Sequence, residues 1–508
     1  MTLALQAASP LDAGGSVAGH VRQATGIAVT GAFDLPTLDV SQPTASVAAN
    51  FPIFDLIYGT LFTVGAGGVI QPALALGYKL SRDHRSVTLF LRPHLTFQDG
   101  TPLDARAVAW NINRDRLATA GPSCRVPLAD LEGVATLSPV KVVLVFRHPY
   151  APIISSLATG CPGMMASPTA VSSEGEQQFG DAPVGAGPYR LLQYGQPYSV
   201  TVVRWAAYWD ARRTHASTIS FRNSTDPSTS IGGIESGGTQ LYVDPGLGSL
   251  AFARLDPHYL KVVALAATSF VAFLPDVRTA PFDNEQARKA VAYALDARSI
   301  NSQVFDGLER PSASIFGTGD SNYLGTSIPG APAYDAPQAV EAVQGLGGLS
   351  FSYGLSGVRF SPLGTRAVAS EVAAALSAQF SAVGIHATVG GIASGPGASG
   401  QSPASYAGLV LQYGGFSDDG IYAAQFFQSD GAFAHFRDPH LDALVAQANR
   451  SFSATTRTAL FRRAMSYVDA NAYVIPMYTL PRYYIAARYL AGIPRGTPVL
   501  YLANAYLK

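Results

Sequence analysis

The sequence predicts a mixed α/β protein built as two large lobes, on three observations. Strand-like runs crowd the first half, strands alternate with clear helices in the second, and 48% of the 508 residues are apolar against 13% charged. That balance supplies large buried cores and excludes a mainly disordered chain. At roughly 150 residues per domain the length fits about three units. The 50 Gly and 34 Pro imply short elements joined by many loops.

The early strands are expected at Gly26–Thr30, Val87–Leu91, Val140–Phe146, Tyr189–Leu192, Val200–Arg204 and Ile219–Arg222. Each is short, rich in Val, Thr or Tyr, and bounded by Gly, Pro or Asp. A helix is expected from Asp283 to Asp296, with Gln286 completing a capping box and Ala287, Ala290, Val291, Ala294 and Leu295 on one face. A second spans Thr365 to Val383, stopped by Gly384 and followed by a strand at Ile385–Val389. A third begins at Asp438 with Pro439 in its first turn, and a fourth runs near Thr455 to Asp469. The Gly- and Ser-rich stretches Asn223–Gly238 and Gly390–Ser405 read as surface loops.

Lys and Arg number 34, as do Asp and Glu, so the formal charge is zero. A polyanion binder normally carries a basic surplus, so neither nucleic acid nor an acidic membrane is an expected partner. No apolar run reaches the ~18 residues of a membrane helix. The nearest, Val262 to Pro275, is broken by Thr268 and Ser269 and reads as buried strand. The opening MTLALQAASP is too short for a secretory signal and lacks a basic start, which fits a mature exported chain and a cytosolic one alike. The two cysteines, Cys124 and Cys161, are compatible with one disulfide in an oxidising compartment or with two buried thiols.

Catalytic patterns are sparse. There is no nucleophile elbow and no P-loop. Gly395-Pro-Gly397-Ala-Ser-Gly400 has dinucleotide-loop spacing, but no helix pattern opens after it. Gly185-Ala-Gly187-Pro188 runs into a strand and reads as a turn. His435 and His440 are five apart, off the three- or four-residue spacing of helical metal ligands, and read as surface loop. Asp418-Asp419 is the one carboxylate pair inside an aromatic, Gly-rich stretch. It can cap the helix expected at Ile421–Gln428, bind a ligand cation, or do acid/base work if buried.

Several segments, in order, resemble bacterial extracellular solute-binding proteins of family 5, the peptide/nickel branch serving ABC transporters. Leu91-Arg92, Phe97-Gln-Asp-Gly100-Thr-Pro102 and Ala105-Arg-Ala-Val108 are similar to its strand, turn and helix signature. Pro183-Val-Gly185-Ala-Gly187-Pro188-Tyr189, Arg204 with Tyr208-Trp209, and Pro281-Phe282 with Arg288 and Ala290 follow. Leu376 with Gly384-Ile385, then Arg457 with Leu460, Phe461 and Pro476, match its last third. Together they cover about residues 25 to 485.

The resemblance implies a two-lobed periplasmic-binding-protein fold (type II, cluster C-like) with an extra subdomain and a two-strand hinge. Lobe I would comprise 20–58, 182–268 and 480–508, the extra subdomain 59–181 and lobe II 269–479, with crossings near Ala266–Ala272 and Met477–Arg482. The implied role is the periplasmic or extracellular substrate-binding component of an ABC importer, a monomer without cofactor that hands its ligand to permease subunits. A peptide or modified peptide is the leading ligand class; a nickel or other metal chelate, an opine or an oligosaccharide are alternatives. A low-rate hydrolase using Asp418 and Asp419 is the reading from another class. Tyr413, Phe416, Asp418 and Asp419 from lobe II, with Phe33, Phe51 and Met164 from the other side, are the expected ligand-binding residues. In the family's peptide binders a Trp and then an Asp hold the ligand's amino terminus. Those positions fall here on Gln412 or Tyr413 and on Gly415 or Phe416, so that anchor is missing or displaced.

Overall fold

The computed structural model describes residues 26–508 apart from 34, 225, 244–246, 321, 326, 329–330, 357–365, 393–405, 415–417 and 432. Three large sheets organise it. A seven-stranded sheet runs in the order 260–264, 483–487, 241–243, 26–31, 218–223, 199–204, 189–195. Its middle strand, Gly26–Gly31, is parallel to both neighbours, whereas Tyr483–Ala487 is antiparallel to both of its own. Ile27, Val29, Val200, Val202, Ile219 and Phe221 are all buried, as two-residue alternation toward one core requires.

A four-stranded antiparallel sheet lies within the segment 75–146, in the order 75–80, 86–91, 141–146, 131–138. Val87, Leu89 and Leu91 face Val142, Leu144 and Phe146 in one buried layer, covered by the helix Ala105–Asp115. Asp104 caps that helix by accepting from the N–H groups of Arg106 and Ala107 at 2.8 and 3.1 Å. The preceding turn closes through Gly100, whose φ of +84° suits glycine.

The third sheet has six strands, ordered 310–311, 475–480, 269–275, 408–414, 349–356, 385–392. Both its faces are covered. Val271, Phe273 and Val410 belong to one hydrophobic cluster; Phe270, Ala272, Leu274, Leu409 and Leu411 belong to another on the opposite face. A strand buried on both sides carries no polar alternation, which explains the unbroken apolar run there.

Several expectations needed correction. The stretch 262–275 is two strands in two different sheets, separated at 265–268. Residues 227–235, inside a segment read as loop, form a helix capped by Asp226, which accepts from Ser228 and Thr229. The helix expected from Asp283 is Glu285–Ala294, capped by Asn284. His435 is buried and its Nδ1 lies 3.1 Å from the Arg278 guanidinium, not on a surface loop. The glycines 395, 397 and 400 fall outside the described residues.

Among the described residues, two short segments carry the chain between the seven- and six-stranded sheets. Ala264 pairs with Tyr483 in the first and Ser269 with Leu480 in the second. Between them the Leu265 N–H donates to the Arg482 carbonyl at 2.8 Å, tying the crossings together. Gly317 and Gly319 sit directly on this joint. A Cβ at Gly317 would lie 2.4 Å from the Ala267 carbonyl oxygen, and the Gly319 N–H donates to that oxygen at 2.7 Å.

Candidate ligand site

The Gly185–Gly187 turn fastens the four-stranded unit to the seven-stranded one. Cβ atoms at Gly185 and Gly187 would each come within 2.3 Å of a carbonyl oxygen, of Ile57 and Leu56 respectively. Gln98 locks the contact: its amide nitrogen donates to the carbonyls of Ile57 (2.9 Å) and Tyr189 (2.8 Å), and its oxygen accepts from the Gly185 N–H (3.2 Å). This turn is backbone packed on backbone, which only glycine permits.

On the facing unit, Asp418 caps the helix Asp419–Phe427, accepting from the Gly420 N–H at 2.7 Å. It is buried and forms a two-pronged ion pair with Arg457, whose Nη1 donates at 2.9 Å. The Ser155 hydroxyl donates to the same carboxylate at 2.9 Å from the helix Pro152–Thr159 of the four-stranded unit. Nearby, the Ala151 N–H donates to the Asn449 carbonyl at 2.8 Å, and His84 packs its ring on Phe452 with centroids 5.6 Å apart. One flank of the two units is therefore in contact.

Asp419 is also buried, and one of its oxygens accepts from the Asn322 backbone N–H and side-chain amide at 2.6 Å each. Burial first, then the adjacent Asp418 charge, pushes its carboxyl up to about 6, while Arg457 opposes the shift. Burial and the Asp419 charge raise Asp320 well above the usual carboxylate range. The carboxylate pair singled out in the sequence is thus one end of a buried polar frame. Ser155, Asn322 and Asn449 carried no local signal, and Arg457 was visible only through the family pattern.

The remaining expected residues are placed as follows. Phe33 is buried with its ring edge-on to Phe221 at 5.5 Å, and Phe51 is buried against Tyr501 at 5.6 Å. Met164 is buried and forms a β-bridge with Thr60. Tyr413 is partly exposed, with its ring against Phe433 at 4.7 Å and Phe426 at 5.2 Å, and burial raises its hydroxyl pKa. Phe416 lies outside the described residues, between Tyr413 and Asp418. The structure brings Tyr413, Asp418 and Asp419 to one region of the six-stranded unit. Phe33, Phe51 and Met164 belong to the core of the seven-stranded one.

Cys124 and Cys161 form a disulfide, completely buried, that ties the short helix Pro122–Arg125 to the turn Cys161–Gly163. Beside it Arg114 holds Asp39 at 2.5 Å and pairs with Glu176, while the Ser41 hydroxyl donates to Asp115 at 2.7 Å. Among the described residues, Asp115, Cys124 and Cys161 are the one group of acidic, His or Cys side chains close enough to share a metal ion. Their sulfurs are bonded to each other, so they offer no thiolate ligands. No helix among the described residues is long and apolar enough to cross a membrane.

Two sheet-centred units joined by a pair of crossing strands define the bilobal class of solute-binding fold. The family model for bacterial extracellular solute-binding proteins, family 5 (middle region), matches residues 69–433, and the chain belongs to that family. The glutathione-binding protein GsiB of Salmonella paratyphi A is 26% identical over 298 residues, covering 55% of this chain and 57% of the relative. The chain thus matches little more than half the length of such curated relatives. A dipeptide-binding protein of Pseudoalteromonas sp. SM9913, solved with Met-Leu, superposes with a TM-score of 0.79 at 17% identity, covering 95% of this chain and all of that one. NikZ of Campylobacter jejuni, solved with Ni(L-His), gives 0.76 at 16%, covering 94% and 97%. At these identities the likeness is one of fold.

Proposed function

We propose that this chain is the substrate-binding component of an ABC importer, working outside the cytoplasmic membrane. It encloses a small polar solute, a peptide or modified peptide, between the seven- and six-stranded units and passes it unaltered to permease subunits. The observation that carries this reading is the joint. Two segments of a few residues, bonded through Leu265 and Arg482, are the covalent route between two units with separate cores. Such a joint lets ligand contacts on both sides drive closure, because the closed state alone makes both sets.

The division follows the sheets: lobe I around the seven-stranded sheet, the extra subdomain around the four-stranded one, and lobe II around the six-stranded one. In this reading Tyr413 borders the cleft from lobe II. The curated relatives are named for glutathione, which supports a peptide-class ligand, and with the family's amine-anchor Asp missing or displaced a ligand amine would be held by other groups. Asp418 and Asp419 serve as framework. Asp418 is committed to Arg457, Ser155 and the helix start, and Asp419 to Asn322, which disfavours hydrolysis.

Isothermal titration calorimetry with glutathione, di- and tripeptides and Ni(L-His) tests the reading, with mass spectrometry of the recovered ligand. Saturable binding of a peptide-class compound recovered intact is the expected result. Binding of none of them, or chemical conversion of the bound one, would overturn it.

A further inference from the structure

Net neutrality hides a local segregation of charge at one end of the seven-stranded sheet. Lys261 lies on the edge strand Leu260–Ala264 and donates from its ammonium to the Leu490 carbonyl. Arg488 follows the neighbouring strand, and its N–H donates to the Tyr259 carbonyl at 3.0 Å. Lys508 is brought alongside by the two-residue pairing of 490–491 with 506–507, its N–H donating to the Tyr489 carbonyl at 2.8 Å. Arg488, Arg495 and Lys508 are exposed, and each lowers the Lys261 pKa by repulsion, after desolvation as the largest cause.

Three tyrosines stand among these cations with much of their surface in solvent: Tyr259 at 54%, Tyr506 at 40% and Tyr489 at 37% exposure. Two acidic side chains lie near this end against the four cations: Asp256, five residues before Lys261, and exposed Glu235, two residues before Gly237, where a Cβ would lie 3.7 Å from the Tyr489 hydroxyl. Strand register fixes the position. Ala487 pairs with Leu260, and Ala486 lies level with Leu241 and Val29, so Arg488 sits at the end where the strand Gly26–Gly31 begins. The crossings to the other unit leave from the opposite end, at Ala264 and Tyr483.

We propose that this basic, tyrosine-studded end of the sheet is a docking surface for an anionic phospholipid bilayer. Clustered ammonium and guanidinium groups are drawn to the negative potential of such a leaflet, and tyrosine rings favour the headgroup layer, where an apolar ring and a polar hydroxyl are both satisfied. The cations and the rings together match a headgroup layer, and an acidic protein face is the competing occupant that the test separates. Arg488 and Tyr259 lie at the end of the sheet away from Ala264 and Tyr483, so docking there leaves the crossings uncovered.

The test is co-sedimentation of the full chain with vesicles of 30% phosphatidylglycerol in phosphatidylcholine, against pure phosphatidylcholine. Partitioning is expected at millimolar anionic lipid and low salt. It should fade as salt approaches 0.5 M, where screening acts within a few ångströms. The variant K261Q/R488Q/K508Q should lose about 100-fold in partitioning, with its melting temperature retained. If that variant folds poorly, the salt dependence of the unaltered chain still decides. No partitioning at low salt, equal partitioning into neutral vesicles, partitioning unaffected by the triple substitution, or stronger retention on polyglutamate than on the anionic vesicles would each overturn the proposal.

Discussion

Ser155 and Asp418 meet across the seam between the four- and six-stranded units, the serine hydroxyl donating to the carboxylate at 2.9 Å. Asp418 keeps Arg457 and its capped N–H when the serine is removed, so Ser155→Ala forfeits one charge-assisted hydrogen bond, about 1.5–3 kcal/mol at most. Arg457→Met instead leaves a buried carboxylate without its cation, and a loss of about 3–5 kcal/mol is expected. Urea unfolding of the two variants checks the order. Equal losses would mean the ion pair is not the centre of the frame.

Acid is expected to strengthen this protein over part of the pH range. Burial pushes the Asp469 carboxyl up to about 8 and those of Asp55 and Asp115 up to about 7. An unfolded Asp titrates near ~3.9. Between about pH 4 and pH 8 the native state holds protons that the unfolded state has released, so stability falls as pH rises through that window. The urea midpoint should therefore be higher at pH 5 than at pH 8. Asp469→Asn should flatten the difference by raising stability at pH 8. An unchanged profile in that variant would assign the dependence to the other raised carboxyls, those of Asp55, Asp115, Asp320 and Asp419.

Two glycine substitutions separate close packing from open space. Gly187→Ala places a methyl against the carbonyl of Leu56 and should cost about 2–3 kcal/mol. Gly77→Ala, where no heavy atom lies within 4 Å, should change stability by less than about 0.5 kcal/mol. Thermal unfolding of both variants reads the contrast.

Replacing both cysteines by alanine opens a loop closed across a sequence separation of 37 residues. In the chain-entropy account this lowers stability by about 4 kcal/mol. A comparable drop on adding reductant to the unaltered chain, seen as a lower melting temperature, would confirm that the bond and not the side-chain volume matters.

How far the sequence is legible follows the range of the interactions. The helix Arg366–Ala382 was readable because its apolar spacing is local, and Asp438 because a cap precedes Pro439 directly. Residues 227–235 looked like loop because Ser and Gly dilute the apolar face that tertiary packing of Ile231 and Ile234 supplies. Asp418 could be read as a cap from its neighbours. Its partners Arg457, 39 residues on, and Ser155, 263 residues back, leave no local trace. Phe33, Phe51, Met164 and Tyr413 show the same limit, since an aromatic or thioether side chain reads alike in a core and in a cleft wall.

The order of strands in the seven-stranded sheet has a consequence for biosynthesis. Tyr483–Ala487 is inserted between Leu241–Val243 and Leu260–Ala264, which leave the ribosome far earlier. At ~5–20 residues per second that wait is tens of seconds. Throughout it, the nascent chain carries unpaired, apolar strand edges, so safe production of this protein depends on something holding the unfinished half apart from its neighbours until the last strand arrives.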